Sequence, residues 1–179
     1  MLDTNRFTGD GVGIKPPQIK SIQMVDIYST GASGTVTFLI DEVVLANSIL
    51  LFGSALGKSA QYVGALAKIW LSDTTHISVT TTGTSCRYAG TVIVLEFAGS
   101  SVKSKQTGTA SVTTAGLNVT ISSVDPDKCL VNATYMHNSS IGEDYLFYAS
   151  TLAATNLFID WAGENGNTRD VYWEVLELR

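Results

Sequence analysis

The chain closes with Val171-Tyr172-Trp173-Glu174-Val175-Leu176-Glu177-Leu178. Apolar and polar residues alternate along it with the period of two that belongs to a β-strand. Val171, Trp173, Val175 and Glu177 fall on one face, and Tyr172, Glu174, Leu176 and Leu178 on the other. Both faces carry apolar side chains, which predicts a contact strand covered on both sides. A fainter counterpart stands earlier, Thr91-Val92-Ile93-Val94-Leu95-Glu96-Phe97. It too ends with an acidic residue before a final large apolar one.

Working outward, the two stretches close two halves that restate each other. Val102-Lys103-Ser104-Lys105-Gln106 restates Ile19-Lys20-Ser21-Ile22-Gln23. Asn118-Val119-Thr120-Ile121 aligns with Thr35-Val36-Thr37-Phe38, and Lys128-Cys129-Leu130-Val131 with Ser48-Ile49-Leu50-Leu51. Leu152 to Ile159 follows Leu71 to Ser78 with a small change of register. A repeat of roughly 80 residues is too long for a solenoid and fits a small β-sandwich. Each half offers about six short strands divided by Gly, Ser, Asn and Asp turns. In the first half these are strands from Ile22 on, over Thr35–Ile40, Ser48–Phe52, Ala65–Leu71, His76–Thr80 and Thr91–Phe97, with Gly53–Lys58 as a small-residue loop. The expected fold is all-β, two tandem homologous antiparallel β-sandwich units over residues 19–98 and 102–179. Gly99-Ser100-Ser101 links them. Residues 1–18, with the Gly-rich Thr8–Gly13 and with Pro16-Pro17, read as an extended N-terminal arm suited to dock on a neighbouring subunit.

Composition narrows the class of role. The 179 residues are 45% hydrophobic and 15% charged, with a formal net charge of −5 and a pI near 4.8. Charge is scarcer than the roughly one quarter usual in soluble domains, and interface centres are poor in charge. The basic footprint of a nucleic-acid-binding protein is missing. Two distant cysteines, Cys86 and Cys129, give neither a disulfide framework nor zinc-ligand spacing, and fit a reducing site of synthesis. Met1–Arg6 is polar and no apolar stretch after it reads as a signal peptide. Val36–Leu56 carries too many polar residues for a membrane helix.

Motifs for catalysis are absent from the sequence: no nucleophile elbow, P-loop, dinucleotide fingerprint or HExxH. His76 and His137 have no Cys or acidic residue at a ligand spacing; His76 reads as a strand residue facing away from the core, and His137 as a loop residue. Asp41-Glu42 and Asp125-Pro126-Asp127 put carboxylates on corresponding loops, but without the spacing of a calcium loop. No cofactor or metal is expected, and no enzyme activity. The candidates for a partner or ligand contact are Pro16 and Pro17 on the arm, Tyr145 and Tyr148 in the dense Tyr145-Leu146-Phe147-Tyr148 patch, and Trp161 before a polar loop. Trp173 is a further candidate, although an alternating strand places it in a core. Trp and Tyr are the usual interface anchors and also stack on sugars.

The Ile19–Gln23 opening, the Val124-Asp125-Pro126-Asp127-Lys128-Cys129 segment and the Val171–Leu178 ending resemble small duplicated-sandwich structural proteins of tailed bacteriophages. The first half departs from their pattern, with Asp41-Glu42 lacking a following Lys and Val92 standing where the second half has Trp173. The resemblance implies a virion protein without catalytic function, an accessory or decoration protein on the capsid or head-proximal region. Its partners would be copies of itself, as a trimer, and other virion proteins, with no nucleic acid and no membrane insertion. The ending also resembles, distantly, the H-type lectin sandwich. That implies the alternative of a tail-tip, collar or receptor-binding protein that takes a cell-surface glycan.

Overall fold

The computed structural model describes residues 16–28, 34–58, 67–81, 87–112, 116–137, 148–161 and 169–179. Their elements are twelve strands and three short 3₁₀ turns. The strands are β1 (Ile19–Tyr28), β2 (Gly34–Leu39), β3 (Ser48–Lys58), β4 (Lys68–Asp73), β5 (His76–Thr81), β6 (Arg87–Phe97), β7 (Val102–Val112), β8 (Gly116–Thr120), β9 (Cys129–His137), β10 (Tyr148–Ala153), β11 (Asn156–Trp161) and β12 (Arg169–Leu178). The turns are Leu45–Asn47, Gly99–Ser101 and Pro126–Lys128. The molecule is all-β, with four antiparallel three-stranded sheets in the orders β1-β6-β3, β2-β5-β4, β7-β12-β9 and β8-β11-β10.

One strand order therefore occurs in both halves, and so do the bonds around it. Lys20 and Ser21 reach the carboxylate of Glu96 as Lys103 and Ser104 reach that of Glu177. The Gln23 amide brackets the backbone N–H and C=O of Asp41, and the Gln106 amide brackets those of Ser122. Ile40 and Val43 donate to Thr75 and Thr74, as Ile121 and Val124 donate to Thr155 and Ala154. The Lys-Ser and Gln positions of both opening segments thus act within the fold, tying the first strand of each half to its last strand and to the loop before the third.

These bonds correct the sequence alignment in two places. Ser48 and Cys129 are the equivalent pair, since they face Glu96 and Glu177 respectively, so the third strands align one residue later than the sequence suggests. Ile40 corresponds to Ile121, which moves the β2–β8 alignment by two residues. A slip of two leaves every side chain of a strand on its original face, so alternation alone could not fix it.

The first two sheets meet over Ile27, Leu50, Ile69, Leu71, Ile77, Val79, Val92 and Val94. The last two meet over Leu157, Ile159, Val171, Trp173 and Val175, joined by Ala133 and Tyr135. A third cluster joins the halves: Ile49, Leu95 and Phe97 against Val102 and Leu176, with Leu51, Leu130 and Leu178 at its margin. Complete burial of such a side chain contributes about 1.5–3 kcal/mol. Strand β12 is central in its sheet and lies between two of these clusters. Every residue from Val171 to Glu177 on it is buried.

Three local readings change. Gly53–Lys58 is not a loop: β3 runs through it to Lys58, with an irregularity between Phe52 and Ser54. Small residues suggested a turn, but the ladder to β6 uses backbone groups and needs no large side chain. Met136 and His137 belong to the end of β9, not to a loop. Asp73 does stand at a bonding distance from His76, 3.0 Å from its Nδ1, in the turn between β4 and β5. The 3₁₀ turn at Gly99–Ser101 is pinned, since the Gln18 N–H donates to Ser101 Oγ and Ala98 N–H to the Gln18 carbonyl. Residues 1–15 of the expected arm, the turn after Tyr28 and the turn at 82–85 lie outside the described residues.

Candidate interaction surface

Where the halves join, two strand edges of the first lie against a sheet face of the second. Strands β3 and β4 end their respective sheets, and each offers a backbone edge. Lys105 Nζ donates to the carbonyls of Ser48, at 2.6 Å, and Leu45, at 3.1 Å. The Leu50 N–H donates to Glu174. Thr134 Oγ1 accepts from the Ile69 N–H and donates to the Ile69 carbonyl, both at 3.0 Å. Trp70 lies against Tyr172, ring centroids 6.3 Å apart. Lys105, Thr134, Tyr172 and Glu174 all stand on the side of the β7-β12-β9 sheet opposite its own core. That face satisfies backbone groups that an edge strand would otherwise leave open.

At the centre of the junction Lys105 and Glu174 pair at 2.9 Å, their side chains only 9% and 0% exposed. The Tyr172 hydroxyl donates to Glu174 at 3.1 Å, and burial, then the nearby Glu174 charge, pushes the phenol far above its ordinary range. Two further buried carboxylates sit at the other ends of the sheets. Burial raises Glu96, but bonds from Lys20, the Val44 N–H and Ser21 outweigh it and hold the group below the usual glutamate value. Glu177 is held low in the same way, burial being outweighed by Lys103, the Asp125 N–H and Ser104. All three carboxylates have their bonds filled from within the chain.

The corresponding face of the first half is different. Positions equivalent to Lys105 and Glu174 hold Ile22 and Ile93. On β1 two adjacent residues turned away from the core are apolar and open, Ile22 at 59% exposed and Met24 at 73%, and the next on that face is Asp26, which accepts from the Thr91 hydroxyl. Ile19 and Tyr28 are also exposed, at the two ends of the strand, Tyr28 beyond Asp26 and with its ring edge-on to Phe38. Among the described residues these and Leu39 and Val44 are the large apolar side chains left exposed. This stripe is not among the contact residues expected from the sequence. Its signal is Ile22-Gln23-Met24-Val25-Asp26-Ile27, where apolar residues occupy both parities; Val25 and Ile27 serve the core, so Ile22 and Met24 must face out.

The residues expected at a contact are scattered. Pro16 and Pro17 are exposed ahead of β1. Trp173 is in the second core cluster, its ring against Gly108. Tyr148 and Trp161 are direct partners in the β10–β11 register. Tyr145 lies outside the described residues, as does Cys86. Cys129 is a free cysteine whose thiol donates to the Asp125 carbonyl. The Asp125 carboxylate caps the Pro126–Lys128 turn by accepting from the Asp127 N–H. Among the described residues no group of three or more His, Cys, Asp or Glu side chains could hold a metal ion, and no helix is long and apolar enough to cross a membrane. No family model, curated protein or solved structure matches the chain.

Proposed function

We propose that the chain is a non-catalytic structural protein of a bacteriophage particle. It is an accessory or decoration protein of the capsid or head-proximal region, made of two tandem related β-sandwich units and held by protein–protein contacts. The observation that carries the assembly role is the apolar stripe of Ile22 and Met24 on β1, which stands open to water. Contiguous exposed apolar surface of this kind marks interaction sites. The low charge content fits the same reading. Residues 1–18 add an arm that engages a neighbour, and the particle arranges the chain symmetrically, as a trimer. The bacteriophage part of the reading rests on the resemblance of the Ile19–Gln23, Val124–Cys129 and Val171–Leu178 segments.

The test is incorporation into particles. Wild-type chain is expected in purified particles by mass spectrometry. Met24→Glu, which puts a charge on the open stripe at a side chain 73% exposed, is expected to fold normally and to be lost from them. Equal incorporation of the variant, or particles that never contain the chain, overturns the proposal.

One observation favours the second reading, a receptor-binding protein of the tail tip or collar that takes a glycan. Tyr148 and Trp161 are register partners in the β10–β11 ladder, and aromatic residues can stack on a sugar ring. Saturable binding on a glycan array, lost in Trp161→Ala, distinguishes it.

A further inference from the structure

Strand β1 ends its sheet, and along its ten residues it pairs, among the described residues, with β6 alone. A long open edge is a template for pairing, and proteins commonly blunt one with Lys, Pro or a bulge. On β1 such features gather at one end: Pro16 and Pro17 just ahead of it, Lys20, and the register shift between Ile19 and Ser21. From Ile22 to Tyr28 the one charged residue is Asp26. The second half packs on the neighbouring strands, at Ile49, Leu95 and Phe97, and leaves Ile22 and Met24 open.

The order of residues along this edge is self-complementary. Let two copies of β1 run antiparallel about a two-fold axis, Gln23 opposite Gln23. Ile22 of each then stands opposite Met24 of the other, and Lys20 opposite Asp26. Facing residues of an antiparallel pair share a face, so both Ile22 and both Met24 side chains meet in one apolar cluster. Lys20 stands at the register shift with its side chain 54% exposed and bonded to Glu96; an ammonium has three donors, which leaves it able to take a second carboxylate. A slip of two residues spoils the match, setting Ile22 against Asp26 in one direction and Met24 against Lys20 in the other. The equivalent edge of the second half, β7, fails the same test. It carries Lys103, Lys105, Thr107 and Thr109 at these four positions, so the alignment would set ammonium groups against hydroxyls, and Lys105 is already bonded to the first half.

We infer that a second copy of this chain covers the stripe, β1 against β1 across a two-fold axis. The contact joins the two β1-β6-β3 sheets into one continuous sheet. It satisfies backbone groups that each edge leaves open, takes Ile22 and Met24 out of water and brings Lys20 of each copy to Asp26 of the other. The same patch serves on both partners, so the contact is closed by two chains. The inference rests on the reading of the chain as an assembly protein and names the partner of that same stripe. Being two-fold, the contact links chains of neighbouring trimers in the particle and does not build the trimer itself.

Disulfide trapping of the full chain tests it. On a Cys86→Ser/Cys129→Ser background, Ile22→Cys and Met24→Cys are made as separate chains and oxidised at high micromolar protein, each alone and as an equal mixture. Facing positions in the proposed register lie about 4.5–5.5 Å apart, within reach of a disulfide, whereas the diagonal from Met24 to Met24 is about 7–8 Å and beyond it. The mixture is expected to give covalent dimers of unlike chains, and each variant alone to stay monomeric on a non-reducing gel. No trapped dimer from the mixture overturns the inference, and so do dimers formed as readily by Met24→Cys alone. Capture of Met24→Cys by a cysteine placed at Ile14 also overturns it, since the N-terminal arm is then the occupant. Met24→Glu in an otherwise wild-type chain should lose the dimer in sedimentation and keep its melting temperature; a variant that still sediments as a dimer contradicts the contact. A chain that gives no trapped dimer yet is incorporated into particles refutes the inference and leaves the assembly reading standing. A trapped dimer from a chain never found in particles does the reverse.

Discussion

Lys105 and Glu174 form a buried ion pair at the positions where the first half carries Ile22 and Ile93. The same strand order thus presents opposite chemistry on its outer face in the two halves. The paired face is closed by the first half of the chain, whereas on the other Ile22 and Met24 are open to water. Breaking such a pair from one side costs about 3–5 kcal/mol, because the remaining charge is left buried. Glu174→Leu is expected to lose stability on that scale by chemical denaturation, and Lys105→Met a comparable amount. Glu174→Leu also strips an acceptor from the Leu50 N–H. The double variant Lys105→Met/Glu174→Leu should fall short of the sum of the single losses, because no lone charge remains.

Trp173 and Gly108 face each other across β12 and β7, where the first half pairs Val92 with Val25. A Cβ on Gly108 would come 2.5 Å from the Trp173 ring. The large residue and the missing one compensate in volume. Gly108→Val is expected to destabilise by at least the 1–3 kcal/mol or so typical of overpacking. Adding Trp173→Val restores the first-half pairing and should recover part of the loss. A double-mutant cycle by thermal melting checks this, and additive losses would contradict it.

Acid should weaken both halves together. Glu96 and Glu177 have folded-state pKa values below the ordinary 4.5. A depressed carboxylate contributes stability that is present above its unfolded value and lost as pH falls through the folded one. Melting temperature should therefore drop below about pH 4.5, and the drop should be smaller in Glu96→Gln and Glu177→Gln, whose stabilities at neutral pH are already reduced. An acid limb unchanged in both variants sinks the assignment.

Alkali should act at the junction instead. The Tyr172 phenol is held protonated beyond its ordinary value of 10.0, first by burial and then by Glu174. A raised folded-state value gives stability that is present below the unfolded pKa and lost as pH rises past it. Stability should decline above roughly pH 10, and Tyr172→Phe should flatten that decline. At neutral pH the same variant should cost on the order of 1–3 kcal/mol, for the donor taken from buried Glu174. Denaturant titrations at a series of pH values read both effects.

Much of the fold is written in the strand periodicities. The alternation of Val171–Leu178 with apolar residues on both faces corresponds to a strand buried on both sides, and the acidic residue before each closing apolar one is a buried carboxylate that anchors the first strand of its half. Register was harder to read, because a two-residue slip between β2 and β8 preserves alternation. The extension of β3 through Gly53–Lys58 was hidden by small residues whose backbone, not side chains, carries the pairing. The exposed apolar stripe was least legible. Aromatic residues drew attention to Trp173, which packs inside, while the open stripe consists of Ile22 and Met24. A strand with apolar residues on both parities announces two covered faces but not what covers them. Lys105 shows the converse: nothing local in Val102–Gln106 marks it as buried, since its partners Ser48 and Leu45 are distant in sequence.

The most direct test of the assembly role is a density map of purified particles that carry the protein. The account predicts the chain at a repeated position on the particle, with the outer face of β1, at Ile22 and Met24, covered by a protein neighbour. A map in which the chain is absent, or bound with that face turned to solvent, would contradict it.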